Sequence, residues 1–167
     1  MVGWTQAYDE NSFGAVYADY MNLFIGPGKP LAPPWESIYD CSDEGLVFQR
    51  GTLEVRKAYL SFGLQIEEMH HEPDDHIGYE LEFVSRLSRL TAEALQRGDV
   101  KEAERVLFEQ TNFLEKHVFS WVFDWCELVC AHATTDFYRG IAMLIRGFLR
   151  EAGSVRDVGL PEKALTL

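Results

Sequence analysis

The sequence has 167 residues, with 47% hydrophobic and 13% aromatic residues beside 25% charged ones. That is one domain's worth of chain around a single core, and it excludes disorder and low complexity. Asp and Glu outnumber Lys and Arg 27 to 15, for a formal net charge of −12, so phosphate backbones and anionic lipid headgroups are repelled and basic peptides attracted.

No stretch approaches the roughly 20 apolar residues that span a bilayer, and Met1–Glu10 lacks the basic-then-apolar order of a secretory signal, so a cytoplasmic location is expected. Cys41, Cys126 and Cys130 are an odd count, which fits free thiols in a reducing compartment.

The run Ser12–Ile25 places Phe13, Val16, Tyr17, Tyr20, Leu23 and Phe24 at helical spacing behind a Ser N-cap, and Gly26-Pro27-Gly28 ends it. The next stretch, GPGKPLAPPWESIY, holds four of the six prolines. It is predicted to be a stiff, extended loop. Trp35, in this loop, can line a groove or plug a core, and its position does not choose.

Thr52–Phe62 reads as a second helix stopped by Gly63. After the polar segment GLQIEEMHHEPDD, the residues Ile77, Leu81, Val84, Leu87 and Leu90 define a long amphipathic helix ending near Gly98. Asp99 with Glu102 is a capping-box start for the next helix, expected to run to about Glu115. Between Phe113 and Ala133 apolar and aromatic residues cover more than one face, as on a central buried helix. Thr135 is the expected cap of a last helix through Phe137, Ile141, Leu144, Ile145 and Phe148, with Gly153 as its stop. Every periodic segment is helical, so the fold class is all-α: one domain over residues 1–167, a bundle of about six helices.

Phosphate-binding loops, dinucleotide fingerprints and a nucleophile elbow are all absent from the sequence, so an enzyme is not expected, nor a cofactor. The one dense polar constellation is Glu67, Glu68, His70, His71, Glu72, Pro73, Asp74, Asp75 and His76. Imidazoles and carboxylates together can hold a divalent metal, and a helical metal-binding protein using His70, His71 and His76 is the alternative reading. Helical two-histidine sites space their ligands four apart, which this run does not do. Capping is therefore favoured, with Pro73 fixing the entry backbone and Asp74 and Asp75 accepting from free N–H groups at the start of the long helix. Cys126 and Cys130, four apart, are read as core thiols and not as a C-x-x-C redox or metal pair.

The strings LFIGPGKPLAPPWESIY (Leu23 to Tyr39), EPDDHIGYELEF (Glu72 to Phe83), FLEKHVFSWVFDW and DFYRGIAML occur in an order that resembles the TorD/DmsD family of redox enzyme maturation chaperones, related to NarJ. The resemblance covers most of the stretch from Tyr20 to Arg150. It implies an all-helical cytoplasmic chaperone, whose partner is a molybdopterin-dependent oxidoreductase and its twin-arginine signal peptide, held until the cofactor is inserted. It also implies that Pro34, Trp35, Pro73, Asp75 and His76 line the peptide-binding region, with Leu23 as a further candidate. Glu72, Asp74 and Asp75 would supply carboxylates for the basic part of such a peptide. Gly28 and Gln49 depart from residues found in some members, which bears on client choice. Family members carry further helices before the segment matched by Tyr20, and only about twenty residues precede it here. An apolar face is thus expected to be uncovered, inviting a homodimer or a domain-swapped dimer.

Overall fold

A computed structural model describes residues 10–39, 50–66 and 72–155. Six α-helices occur among them: α1 (Glu10–Tyr20), α2 (Arg50–Ser61), α3 (Ile77–Gln96), α4 (Val100–Phe113), α5 (Val122–His132) and α6 (Asp136–Val155). This is the all-α bundle expected, and none of its described helices is long and apolar enough to cross a membrane.

Two antiparallel hairpins organise the packing, α3 on α4 and α5 on α6. Gly98, at φ +72, makes the sharp reversal after α3, a conformation that costs glycine little because it has no Cβ. Asp99 Oδ1 then accepts from the Glu102 N–H at 3.2 Å, the predicted start of α4. Along α3, Ile77, Phe83, Val84 and Leu87 are buried, and full burial of a side chain such as Leu87 contributes about 1.5–3 kcal/mol. They meet Val106 and Phe113 of α4 in the core. Tyr59, Phe83 and Phe113 form its aromatic centre, with ring centroids 4.8–4.9 Å apart across the two contacts to Phe83.

The chain departs from the predicted helices in several places, among them α2, which starts at Arg50, two residues before the expected Thr52. The first helix is already formed at Glu10, two residues before the expected Ser12 cap. It widens into a π-helical turn over Met21–Ile25, and Gly26 at φ +55 ends it. Another π-helical turn, Leu114–Val118, and a bend at Phe119–Trp121 split the Phe113–Ala133 stretch, because Trp121 is drawn into the core to donate to Glu80. Gly153 does not stop α6, which continues to Val155.

A tertiary contact serves the start of α6. Asp19 of α1 is buried, and its carboxylate accepts from the Thr134 N–H (3.0 Å), the Thr135 N–H (2.9 Å) and the Thr135 hydroxyl (2.6 Å). Burial pushes the Asp19 carboxyl up, but these donors together hold it below its ordinary value. The hydroxyl of Thr135, the residue before α6, thus donates to α1. Phe13 and Tyr17 of α1, and Leu144 and Phe148 of α6, remain exposed.

Candidate functional site

The site is built where two distant segments pair backbone to backbone. The Glu36 N–H donates to the Asp75 carbonyl at 3.0 Å, and the Ile77 N–H donates to the Pro34 carbonyl at 2.9 Å. These bonds flank an isolated antiparallel bridge between Trp35 and His76. Side chains approach closely in such a non-hydrogen-bonded pair, and the Trp35 and His76 rings meet edge to face with centroids 6.2 Å apart. The proline loop is suited to this because Pro33 and Pro34 have no N–H to satisfy, while their carbonyls and that of Ala32 remain available. The Tyr39 hydroxyl donates to the Pro33 carbonyl at 2.9 Å, and Trp125 Nε1–H to the Ala32 carbonyl at 3.2 Å.

Beside the bridge lies an open groove of about 600 Å³. Its apolar walls come from Tyr20 at the end of α1 and Phe24 and Ile25 in the turn that follows, from Ile77 and Leu81 of α3, and from Trp125, Ile141 and Ile145 of α5 and α6. Glu72, His76 and Glu82 add a polar rim, beside Pro34 and the half-buried indole of Trp35. Trp35 Nε1–H donates to Glu72 Oε1 at 2.9 Å, which fixes the indole against the carboxylate. An aromatic face beside carboxylates suits a guanidinium, which stacks on the one and pairs with the other.

The candidate residues divide into two groups. Pro34, Trp35, Glu72 and His76 border the groove. Leu23, Pro73, Asp74 and Asp75 are buried and lie outside its lining. Asp75 Oδ2 accepts from the Ser37 N–H at 2.8 Å and Oδ1 from the Thr52 hydroxyl at 3.0 Å, fastening the proline loop to α2. Asp74 pairs with Arg56, and its carbonyl accepts from the Tyr59 hydroxyl at 3.0 Å. Contrary to the expectation from sequence, neither aspartate caps the long helix. His76 does, its Nδ1 accepting from the Gly78 N–H at 3.0 Å. Burial, against the opposing charges of Glu72 and Asp75, holds His76 below its ordinary value, in the neutral form that can accept this bond. Glu82 is a groove residue that sequence reasoning missed, since an exposed Glu on an amphipathic helix carries no distinguishing signal.

The metal-binding alternative gains no support from this geometry. His76 Nδ1 and both Asp75 oxygens are engaged within the protein, and Asp74 is paired with Arg56. Among the described residues no group of three or more His, Cys, Asp or Glu side chains could hold a metal ion. Glu67, Glu68, His70 and His71 lie outside the described residues, as does Cys41. Cys126 is buried and Cys130 half-buried, both with free thiols. Burial, and then the neighbouring Cys130, pushes the Cys126 thiol up to about 11, which leaves it protonated and unreactive, as a core thiol should be.

A family model described as "Nitrate reductase delta subunit" matches residues 1–127. The chain is 29% identical over 133 residues to the chaperone protein TorD of Vibrio parahaemolyticus, which covers 80% of this chain and 60% of that protein. It is 30% identical over 127 residues to the Tat proofreading chaperone DmsD of Salmonella paratyphi A, covering 76% and 55%. A probable Tat proofreading chaperone DmsD of Haemophilus influenzae is 28% identical over 125 residues, covering 75% and 54%. The chain thus spans little more than half the length of these curated relatives. The match takes in both segments that meet at the Trp35–His76 bridge, and the chain belongs to the TorD/DmsD family, within that of the nitrate reductase delta subunits.

Proposed function

We propose that this protein is a cytoplasmic chaperone, not an enzyme. It binds the twin-arginine signal peptide, or the folding body, of a molybdopterin-dependent oxidoreductase and assists its maturation before export. The observation that carries this reading is the groove, where a half-buried Trp35 and the carboxylates of Glu72 and Glu82 border walls of Phe24, Leu81, Trp125 and Ile145. A signal peptide of this kind offers two arginines followed by an apolar stretch, and the groove offers carboxylates and an indole beside apolar walls. The net charge of −12 draws a basic peptide towards the protein from a distance. In their names the relatives carry both halves of the role, chaperone and Tat proofreading.

The test is calorimetric titration with a twin-arginine signal peptide and with the same peptide carrying alanines for both arginines. The expected result is a loss of roughly tenfold or more, since each charged hydrogen bond contributes about 1.5–3 kcal/mol, and weaker binding as salt rises. Equal affinity for the two peptides would remove the signal peptide from the proposal.

A further inference from the structure

Beneath the proline loop lies a buried polar cluster outside the groove lining. Glu80 of α3 is fully buried. Its Oε2 accepts from Trp121 Nε1–H at 3.2 Å, while no donor reaches Oε1. The Glu36 carboxylate, within hydrogen-bonding reach of Glu80, comes from the short 3-10 turn Glu36–Ile38 that follows Trp35. Both Glu36 oxygens also lie 3.0–3.1 Å from Nδ1 of His117, in the π-helical turn after α4. His117 is buried, with its ring 5.0 Å from that of Phe113. Asp75 and the α2 residue Tyr59 also act on Glu80 or are acted on by it.

Two carboxylates that face each other out of water repel and leave lone pairs without donors, a loss that one shared proton removes. We propose that Glu80 is a positioning residue for the groove: as a neutral acid it donates from Oε1 to Glu36, and the chain Trp121–Glu80–Glu36–His117 holds the proline loop, and with it Trp35, against α3 and the π-helical turn. Burial first, and then the charges of Glu36 and Asp75, raise Glu80 well above the ordinary carboxyl range, in agreement with the geometry. Only the effect on peptide binding rests on the proposed function; the shared proton does not.

A group whose folded value is raised binds more proton in the folded state than in the unfolded one. Its contribution to stability is therefore full below the ordinary value of 4.5 and is lost as pH rises through the folded value. Glu80→Gln reproduces the neutral acid, with an amide to donate to Glu36 and an oxygen to accept from Trp121.

The experiment compares the full chain with Glu80→Gln and Glu80→Ala, using infrared spectroscopy of the carboxyl C=O band, urea unfolding across pH and peptide titration. Wild type should show a protonated-carboxyl band at neutral pH that Glu80→Gln lacks, and its stability should fall with rising pH relative to that variant. Peptide affinity should stay within about twofold in Glu80→Gln and fall about fivefold or more in folded Glu80→Ala, the equivalent of one buried hydrogen bond. Absence of the band, or the same pH slope in wild type and Glu80→Gln, overturns the shared proton whether or not Glu80→Ala folds. Wild-type affinity in folded Glu80→Ala overturns the positioning role. Failure of wild type to bind the peptide refutes the proposed function instead, while the band and the slope still decide the proton.

Discussion

Replacement of Asp75 separates the bonds that its carboxylate makes from the charge that it carries. In Asp75→Ala the Ser37 N–H and the Thr52 hydroxyl, on residues only 2% and 1% exposed, lose their acceptor. An orphaned buried donor costs about 1–3 kcal/mol, so the two together should cost about 3–5 kcal/mol. Asp75→Asn can keep both contacts, with its oxygen towards the Ser37 N–H and its amide towards Thr52, whose hydroxyl is able to accept. What remains is the difference between charged and neutral acceptors, and about 1 kcal/mol is expected. In a domain of this size each 1 kcal/mol moves the melting temperature by about 2–4 °C. Urea titrations followed by circular dichroism would show Asn close to wild type and Ala far below it. Equal losses in the two variants would mean that the charge, not the bonding pattern, holds the loop, and the reasoning would be refuted. Because Asp75 lies beneath the groove and not in it, Asp75→Asn should also leave peptide affinity within about twofold; a tenfold loss at low salt with unchanged stability would contradict that placement.

Two further substitutions test the groove rim. Trp35→Ala should weaken peptide binding about tenfold or more by calorimetry, and because Trp35 is only half-buried it should cost less than the roughly 3–5 kcal/mol of a deleted core aromatic. His76, with its folded value held below the ordinary 6.5, takes up protons more readily when unfolded, so its contribution to stability is lost as pH falls below that value. His76→Asn keeps a capping side chain without titrating, and the difference in urea midpoint between wild type and this variant should shrink from pH 7.5 to 5.5; a constant difference would mean that His76 is not kept neutral by the fold.

Much of the architecture was legible because it follows from periodicity and punctuation. The stripe Ile77, Val84 and Leu87 fixed the buried face of α3, Asp99 with Glu102 marked the start of α4, and Gly63 and Gly98 stand at positive φ where stops were expected. Gly153 misled because the signal for a helix end is local, whereas α6, which packs on α5, runs on to Val155. The aromatic run after Phe113 misled for the opposite reason. Its composition read as one buried helix, but Trp121 is drawn out of helical register towards an acceptor on α3 that no local pattern reveals.

The candidate site was legible only in part. The proline loop and the acidic motif were singled out, and the Trp35–His76 bridge joins them across 41 positions of sequence. Which of their residues border the groove depends on tertiary direction: of the three carboxylates singled out, Glu72 borders it, whereas Asp74 and Asp75 are buried outside its lining, and Glu82 joins Glu72 at the rim. One signal went unused. Glu80 falls on the apolar stripe between Ile77 and Val84, and Asp19 falls between Val16 and Leu23. A carboxylate on an apolar face marks a buried acceptor that must find donors elsewhere in the fold.

Photo-crosslinking from the signal peptide tests the central claim most directly, with the reactive side chain placed in turn beside the arginine pair and in the apolar stretch. The account predicts crosslinks to Trp35 and the Glu72–Glu82 segment from the first position, to Trp125, Ile141 or Ile145 from the second, and competition of both by unlabelled peptide. Crosslinks that fall instead on the exposed face bearing Phe13, Tyr17, Leu144 and Phe148, with none in the groove, would contradict it.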